Sequence, residues 1–358
     1  MNYKFSKRIE DESSRLWEKI HEIDKLKSRW SVGAKLDPQV LTRLKKSVLI
    51  TSTGASTRIE GAQMSDEDIE RLMRGISIQK FTDRDTQEVK GYYELLSNIF
   101  ETYGSIPFSE SIIKFFHREL LKYAEKDKLH RGEYKKSENK VAALGDETKI
   151  IFDTTPAYLT PKEMQELTEW TQKALAEKHF HPLLIIANFL VQFLKIHPFE
   201  DGNGRLSRIL TNLLLLQQGY LYMPYISHEK LIEDNKPEYY VALRQSQKTF
   251  LPAEASAKEG DTKNEDVTPW LEFFLATLLE QSKRAIALLS REETDKLLSK
   301  QQQIIWKHLE KVHEATPMEI SKVTGVPRPT VSQAITKLLK LKRVERIGLG
   351  AGTRYRKI

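Results

Sequence analysis

The chain has 358 residues, of which 39% are hydrophobic and 30% charged, and its formal net charge at pH 7 is +7. This composition predicts a folded protein with a sizeable core and excludes wholesale disorder. The sequence contains no cysteine, which excludes disulfide scaffolds, thiolate metal sites and cysteine nucleophiles. The longest apolar run, residues 183–196, is too short to cross a bilayer, and the N-terminus has no apolar signal-peptide core. We therefore expect a cytoplasmic protein without a membrane partner.

The basic excess is concentrated at the C-terminal end. Residues 301–358 hold 12 Lys and Arg against 4 Asp and Glu, whereas residues 1–300 hold 45 against 46. Such an asymmetry is typical of a basic end module that contacts nucleic acid, and a solvated basic surface is the alternative.

Most of the chain has the apolar spacing of amphipathic helices. Ser65 and Ser109 are typical helix caps, and Gly104 and Gly219 are typical helix ends. Helices are predicted at residues 15–28, 38–50, 65–75, 86–103, 109–123, 161–177, 182–196, 205–218, 227–247 (in two pieces) and 268–290. We predict a loop at residues 251–267 and a polar connection at residues 291–300.

Two short β-compatible segments interrupt this helical pattern. Lys140–Ala143 and Lys149–Phe152 flank the turn-like sequence Leu-Gly-Asp-Glu-Thr. They predict a small β-hairpin, with an irregular loop as the alternative.

The most informative segment, residues 197–208, joins two predicted helices and reads His-Pro-Phe-Glu-Asp-Gly-Asn-Gly-Arg-Leu-Ser-Arg. Gly202 and Gly204 flank Asn203, so the backbone can turn tightly and direct several N–H groups at one point. Such a turn, followed at once by a helix N-terminus, is a site for an anion.

Four side chains of the same segment add chemistry to this anion site. Arg205 and Arg208 share a helix face and can bind phosphate oxygens in a bidentate manner. Asp201 supplies a hard oxygen ligand that suits Mg²⁺, and His197 is a titratable base close to them. The segment therefore predicts a site for a nucleotide phosphate.

This segment resembles the signature of the Fic family, His-x-Phe-x-Asp/Glu-Gly-Asn-Gly-Arg-x-x-Arg, and matches it at every fixed position. The resemblance implies a mainly α fold, with a Fic-type helical core and a small β-hairpin flap. It also implies protein adenylylation, in which AMP passes from ATP to a Ser, Thr or Tyr hydroxyl of a protein target, or of the chain itself. The intact Gly202 and Arg205 favour AMP transfer over the phosphoryl transfer of the Doc-type relatives, and phosphocholine or UMP transfer is not excluded.

The resemblance also assigns roles to individual residues. His197 would be the general base that deprotonates the target hydroxyl, and Asp201 would coordinate Mg²⁺ on the α- and β-phosphates. Arg205 and Arg208 would bind the β- and γ-phosphates. The backbone cradle for the phosphates would be formed by Gly202, Asn203 and Gly204.

Two later residues and the hairpin are carried over with a stated alternative. Tyr240 and Gln247 resemble the family positions beside the adenine ring, although core packing would explain them equally well. The hairpin resembles the family's target-docking flap, which would bind a target segment by β-augmentation.

An upstream segment, Ser-Thr-Arg-Ile-Glu-Gly at residues 56–61, resembles the family's inhibitory motif. In that reading Glu60 would pair with Arg208 and take the place of the γ-phosphate, and Ser56 would anchor the inhibitory helix. The alternative is an exposed helix carboxylate.

The C-terminal end predicts three helices and two strands. The helices are expected at residues 301–311, from 316 and from 328, and the strands at 344–347 and 353–358. This order resembles a winged helix-turn-helix domain.

In such a domain the third helix would enter a major groove of DNA. Its outward residues would contact bases or phosphates, and the strands would add Arg354 and Arg356 toward phosphates. The expected DNA-binding residues are Arg328, Thr330, Gln333 and Lys337. The alternative is a winged helix that binds protein or forms a dimer.

The sequence as a whole predicts four parts. They are a helical N-terminal region with the inhibitory motif (1–95), a Fic catalytic core (96–250), a linker with a connecting helix (251–300) and a winged helix-turn-helix domain (301–358). The predicted function is ATP- and Mg²⁺-dependent protein adenylylation, and a homodimer is hypothesised. The alternative is a DNA-binding transcriptional regulator that uses the Fic core as a nucleotide sensor.

Overall fold

The structure is a computed structural model. It describes residues 3–10, 14–33, 38–75, 83–143, 146–249, 265–341, 343–348 and 352–358. The chain divides into two compact units, Met1–Ala285 and Ile286–Ile358. Most of the loop predicted at residues 251–267 lies outside the described residues. No helix in the described parts of the chain combines the length and the apolar character needed to cross a membrane.

The first unit is almost entirely helical. Its helices, with the long helix that extends past its end, are α1 (Tyr3–Lys7), α2 (Ser14–Gly33), α3 (Pro38–Ile59), α4 (Asp66–Met73), α5 (Asp83–Thr102), α6 (Glu110–Leu120), α7 (Thr160–Glu177), α8 (Pro182–Ile196), α9 (Asn203–Gln217), α10 (His228–Asp234), α11 (Lys236–Lys248) and α12 (Thr268–Leu297). The predicted division of residues 227–247 into two helices is confirmed.

Helices α8 and α9 form the centre of the first unit. α8 is buried along nearly its whole length, as expected for a helix that is apolar on every side. α9 is buried from Arg205 to Leu216. α8 packs on α7, α9 and α11, and α9 also packs on α3, α5 and α6. The turn between α8 and α9 is thus held by core helices on both sides.

A single hairpin interrupts the helices within the described part of this unit. β1 (Lys140–Ala143) pairs antiparallel with β2 (Asp146–Asp153), and Lys140 lies opposite Asp153. The predicted hairpin is confirmed, although β2 begins three residues before the predicted strand.

Helix α3 is longer than predicted. The sequence after Ile50 is rich in Ser, Thr and Gly, which favour caps and turns over helix interiors. The helix nevertheless continues to Ile59, because most of its last eleven residues are buried. The hydroxyls of Thr53 and Thr57 also donate to carbonyls one turn earlier, at 2.7 and 2.9 Å. Tertiary packing therefore overrides local propensity here.

Helix α12 is also longer than predicted, and α1 was not predicted. The expected polar connection at residues 291–300 is helical as far as Leu297. Its sequence lacks the apolar periodicity of a packed helix, but Arg, Glu and Lys are good helix formers.

In its described residues, the second unit contains the end of α12, three short helices and one strand pair. The short helices and the strands are α13 (Lys300–Leu309), α14 (Pro317–Thr324), α15 (Arg328–Lys340), β3 (Val344–Ile347) and β4 (Arg354–Lys357), with the strands antiparallel. Thr316 caps α14 in a capping box with Glu319, and Gly325 ends it at φ 70°. A core of Ile305, Trp306 and residues of the other elements holds them together.

Candidate active site

The turn between α8 and α9 has a special backbone. His197 ends α8 at φ 52°, and Gly202 precedes α9 at φ 81°. Asn203 is buried, and its side chain accepts from the N–H of Phe199 at 3.0 Å and donates to the Phe199 carbonyl at 2.8 Å. Asn203 therefore shapes the turn with its side chain, while its backbone N–H belongs to the N-terminus of α9.

A histidine that the sequence analysis missed packs against the turn between α8 and α9. His117 of α6 stacks on buried Phe199 at 3.8 Å between ring centroids. Its Nδ1 accepts from the N–H of Gly132 at 2.9 Å, so Nε2 carries the proton and donates to the Asp201 carbonyl at 3.0 Å. Burial lowers the pKa of His117 to about 4, which keeps the ring neutral. No local sequence pattern marks this residue.

Arg205 lies at the centre of a network of alternating charges. Its guanidinium is 2% exposed and lies 2.7 Å from Glu88 and 3.0 Å from Asp201. Arg84 contacts the same two carboxylates, at 2.9 and 3.1 Å. Burial alone would lower the pKa of Arg205, but Asp201 and Glu88 outweigh it and raise the pKa. The one sequence signal for the contact between Arg84 and Glu88 is their i,i+4 spacing, which is typical of an ion pair along a helix.

We expect Glu88→Ala to destabilise the fold by about 3–5 kcal/mol, because Arg205 would keep its buried charge and lose one carboxylate. Urea unfolding followed by circular dichroism measures this change. Glu101→Ala is the matched control, since Glu101 is an exposed residue of the same helix that pairs with Lys45, and we expect it to cost less than about 1 kcal/mol. Equal effects of the two variants would contradict this role for Glu88.

Arg208 meets the residues that the sequence analysis paired with it. Its Nε donates to the Ser56 hydroxyl at 2.8 Å, and one terminal nitrogen contacts the Ser56 carbonyl at 2.9 Å and Glu60 at 2.7 Å. Burial alone would lower the pKa of Arg208, but Glu60 and nearby tyrosines outweigh it and raise the pKa. The structure therefore brings Ser56, Glu60 and Arg208 together.

The Glu60 carboxylate also covers the turn between α8 and α9, which contains Gly202 and leads into Gly204. We call this turn the glycine turn. A Cβ added to Gly204 would lie 2.2 Å from a Glu60 oxygen, so the carboxylate sits directly above the first turn of α9. That position is where a helix N-terminus attracts an anion. About a third of the Glu60 side chain remains exposed.

A set of contacts fixes the last turns of α3, the helix that Glu60 directly follows. Arg58 contacts Glu233 of α10 at 2.6 Å and Asp66 at 3.0 Å. Nearly two turns earlier, Ser52 donates to Ser227 at 2.8 Å. Glu60 thus directly follows a helix that is bonded to its neighbours on several sides.

His197 has the environment of a neutral base. Its Nδ1 lies 3.3 Å from the Leu194 carbonyl, which places the proton on Nδ1 and leaves the lone pair on Nε2. Burial lowers the pKa of His197 to about 4, and the nearby Lys135 contributes in the same direction. The ring can therefore accept a proton at neutral pH.

The two residues expected beside an adenine ring lie in different settings. Tyr240 is half-buried, and its hydroxyl lies 3.5 Å from the Ile59 carbonyl at the end of α3. Gln247 is 1% exposed and donates to the Val191 carbonyl of α8 at 3.3 Å. Tyr240 is therefore close to the end of α3, just before Glu60, whereas the Gln247 contact is with the core.

Asp201 fits the part of a single carboxylate ligand for Mg²⁺. One of its oxygens is held by the N–H of Gly202 and by Arg205, and the other by Arg84. Burial would raise its pKa, but the arginines and the Gly202 N–H outweigh this and lower the pKa, so Asp201 is ionised. Among the described residues, no group of three or more His, Asp or Glu could hold a metal without other ligands. Mg²⁺ is commonly bound by one or two carboxylates with water and substrate phosphates, which agrees with this single donor.

The residues expected to contact DNA lie on α15. Arg328 and Gln333 are exposed, Thr330 is half-buried, and Lys337 lies 3.4 Å from Gln302. On β4, Arg354 contacts two glutamates and Arg356 contacts Glu345. The strand arginines thus pair with glutamates of the same unit, whereas Arg328 and Gln333 are exposed on α15.

The first unit is therefore a helical domain whose two central helices are joined by a turn, with two buried arginines, Arg205 and Arg208, near the N-terminus of the second helix. Residues 107–215 match the model of the Fic/DOC family. The matched residues run from just before α6 into α9 and include the whole glycine turn.

Two curated proteins resemble parts of the chain. A probable protein adenylyltransferase of Aquifex aeolicus is 28% identical over 186 residues, which cover 50% of this chain and 52% of that protein. A Fido domain-containing protein of Dictyostelium discoideum is 36% identical over 102 residues, covering 26% of this chain and 64% of that protein. The chain thus spans between half and two thirds of the length of these relatives.

Two solved structures share the fold. A Fic family protein from Desulfovibrio desulfuricans aligns with a TM-score of 0.62 and 23% identity, over 97% of each chain. A Fic domain-containing signalling protein from Bacteroides thetaiotaomicron has the same TM-score and 24% identity, over 75% of this chain and 96% of that one.

Proposed function

We propose that the chain is an ATP- and Mg²⁺-dependent protein adenylyltransferase. It transfers AMP to a Ser, Thr or Tyr hydroxyl of a protein target, and to its own hydroxyls. The observation that carries the proposal is the pair of buried arginines, Arg205 and Arg208, in the first two turns of α9, with the neutral base His197 at the end of α8. Two comparisons support it: the match of residues 107–215 to the Fic/DOC family, and the similarity to the Aquifex protein named a probable protein adenylyltransferase.

The proposed chemistry assigns one task to each side chain. His197 Nε2 accepts the proton of the target hydroxyl, whose oxygen forms a bond to the α-phosphorus of ATP. The bond from this phosphorus to the bridging oxygen breaks, and pyrophosphate leaves. Arg205, Arg208 and the N-terminus of α9 stabilise the negative charge on the phosphates. Mg²⁺, held by Asp201, would neutralise part of the same charge.

In this proposal Glu60 is a built-in brake. Its carboxylate takes the place that the γ-phosphate needs beside Arg208, so ATP binds in an unproductive pose. The 2.7 Å contact and the cover over Gly204 support this reading. Ser56 contributes by binding the same guanidinium from the preceding turn.

The position of the label identifies the reaction. The Glu60→Gly variant is incubated with a bacterial lysate, Mg²⁺ and ATP labelled either at the α- or at the γ-phosphate. Relative to lysate alone, we expect additional protein label from α-labelled ATP only. Additional label from γ-labelled ATP would indicate phosphoryl transfer, and additional label from a parallel reaction with α-labelled UTP, with none from ATP, would indicate UMP transfer. Either result would contradict adenylylation.

A second candidate function is DNA binding by the second unit. The net charge of residues 301–358, the order of three helices and a strand pair, and the exposed Arg328 and Gln333 favour a winged helix that reads DNA through α15. The test is selection from a random duplex library by the full chain. Binding that falls about tenfold in Arg328→Ala, and stays unchanged in the control Lys307→Ala on α13, would support it. A library that shows no enrichment would contradict it.

A further inference from the structure

The segments that flank the hairpin, residues 135–139 before β1 and 154–155 after β2, hold the turn that carries His197. We call these two segments the stems of the hairpin. Five consecutive backbone carbonyls, those of residues 195–199, accept hydrogen bonds from residues on either side of the hairpin. The donors, in order, are the N–H of Thr155 at 3.3 Å, Lys135 Nζ at 3.1 Å, Asn139 Nδ2 at 3.3 Å, the N–H of Lys135 at 2.9 Å and Asn139 Nδ2 again at 2.9 Å. The matched glycine motif contains none of these donors.

This turn needs support from outside the helix. The last carbonyls of a helix have no partner inside it. His197 also has a positive φ of 52°, a conformation that non-glycine residues keep only where their surroundings impose it. The donors from the hairpin stems supply that constraint at the residue that would act as the base.

Lys135 is the centre of this arrangement. It is 3% exposed, and its ammonium donates to Asn139 Oδ1 at 2.7 Å, to the Thr154 hydroxyl at 2.9 Å and to the Ile196 carbonyl at 3.1 Å. All three of its protons are thus used, on the stem before β1, on the stem after β2 and on the residue before His197. Burial lowers the pKa of Lys135 to about 8, so the group is still charged at neutral pH.

We propose that Lys135 is a positioning residue that fastens both stems of the hairpin to the turn of His197 and thereby sets the orientation of the base. This inference rests on the proposed function, because it gives His197 the task of taking the proton of the target hydroxyl. A target segment that docks on the hairpin would act on His197 through the same bonds.

The kinetic test uses the Glu60→Gly background and α-labelled ATP with lysate proteins. We expect Lys135→Met to lower kcat by about 10- to 100-fold, because small displacements of a base have effects of this size, while the KM for ATP changes by less than about twofold. Lys135→Arg retains several donors and should recover most of the rate. Lys136→Met is the matched control, since Lys136 is the exposed neighbour, and should have no effect. A kcat in Lys135→Met equal to that of Lys136→Met would overturn the inference.

A second readout does not depend on transfer. Hydrogen exchange followed by mass spectrometry should show faster exchange of peptides covering residues 194–203 in Lys135→Met, with α2 and α7 unchanged. Thr154→Val removes one acceptor at nearly constant volume and should act in the same direction, which covers the case that Lys135→Met fails to fold. Unchanged exchange in these peptides would overturn the inference even if adenylylation is found. Faster exchange without any transfer in the Glu60→Gly background would show that Lys135 fastens the stems to the turn of His197, and would refute the proposed activity.

Discussion

The Glu60→Gly variant is expected to transfer AMP about 5- to 150-fold faster than the natural chain, the range of a coupling between two competing states of one site. Glu60 lies 2.7 Å from the buried Arg208 and covers Gly204 at the N-terminus of α9. A γ-phosphate and this carboxylate cannot both occupy that place. Removing the carboxylate leaves Arg208 to the phosphate and opens the glycine turn.

The measurement is the initial rate of α-label incorporation at saturating ATP. Glu60→Gln keeps the shape of the side chain without its charge, and should give an intermediate rate. Glu67→Gly makes the same type of change at an exposed position of α4 and should leave the rate unchanged. If Glu60→Gly is no faster than Glu67→Gly, the contact with Arg208 has no inhibitory role.

His197→Ala, introduced into Glu60→Gly, is expected to lower the rate by about 10²- to 10⁴-fold, the usual contribution of a general base. The same residue sets the pH dependence. Its pKa of about 4 keeps the ring neutral and able to accept a proton above that value. The rate should therefore stay level from pH 8 to about pH 5 and fall only as the ring is protonated near pH 4.

The pH profile of Glu60→Gly and the rate of the double variant test this role together. His179→Ala is the control, because His179 is a largely exposed histidine that precedes α8. ATP binding by the double variant, measured by calorimetry, should remain, since the lost group acts on the hydroxyl and not on the phosphates. A decline of the rate that begins near pH 6.5 would mean that His197 titrates like an exposed histidine and is not the desolvated base described here.

The predictable parts of the site are those whose residues lie close together along the chain. The glycine turn, Arg205, Arg208 and His197 lie within twelve residues, and their chemistry is readable from their spacing. The contacts of Arg208 with Ser56 and Glu60 were expected only because a short upstream motif resembled a known one. Without that resemblance, a pair 148 residues apart has no local signal.

The missed residues reach the site from helices whose sequence pattern reveals only which face is apolar. Glu88 and His117 come from α5 and α6, and both are buried polar residues whose partners exist only after folding. Lys135 and Asn139 precede the hairpin in a polar stretch that looks like an ordinary loop. The length of α3 was underestimated for a related reason, because burial of its Ser and Thr residues cannot be deduced from propensity.

The second unit shows the same division. Its helices were predictable from Thr316, Gly325 and other cap residues that act locally. The ion pairs of Arg354 and Arg356 depend on the register of β4 against its neighbours, which the sequence did not specify. The sequence therefore could not show that these arginines, expected to face phosphates, pair with glutamates of the same unit.

Glu60, the inhibitory residue of the proposed function, directly follows α3, a helix that is itself part of the core. The last eleven residues of α3 include Thr53, Ala55 and Ile59, all fully buried, and Arg58 bonds this helix to α10. Cleavage or deletion of the segment would therefore remove a structural helix together with the carboxylate. In the proposed function, a truncated chain would therefore lose fold stability together with the carboxylate. We expect relief of the inhibition to come instead from a reversible shift of the Glu60 side chain or of the turn that carries it, so that each molecule can be switched on and off repeatedly.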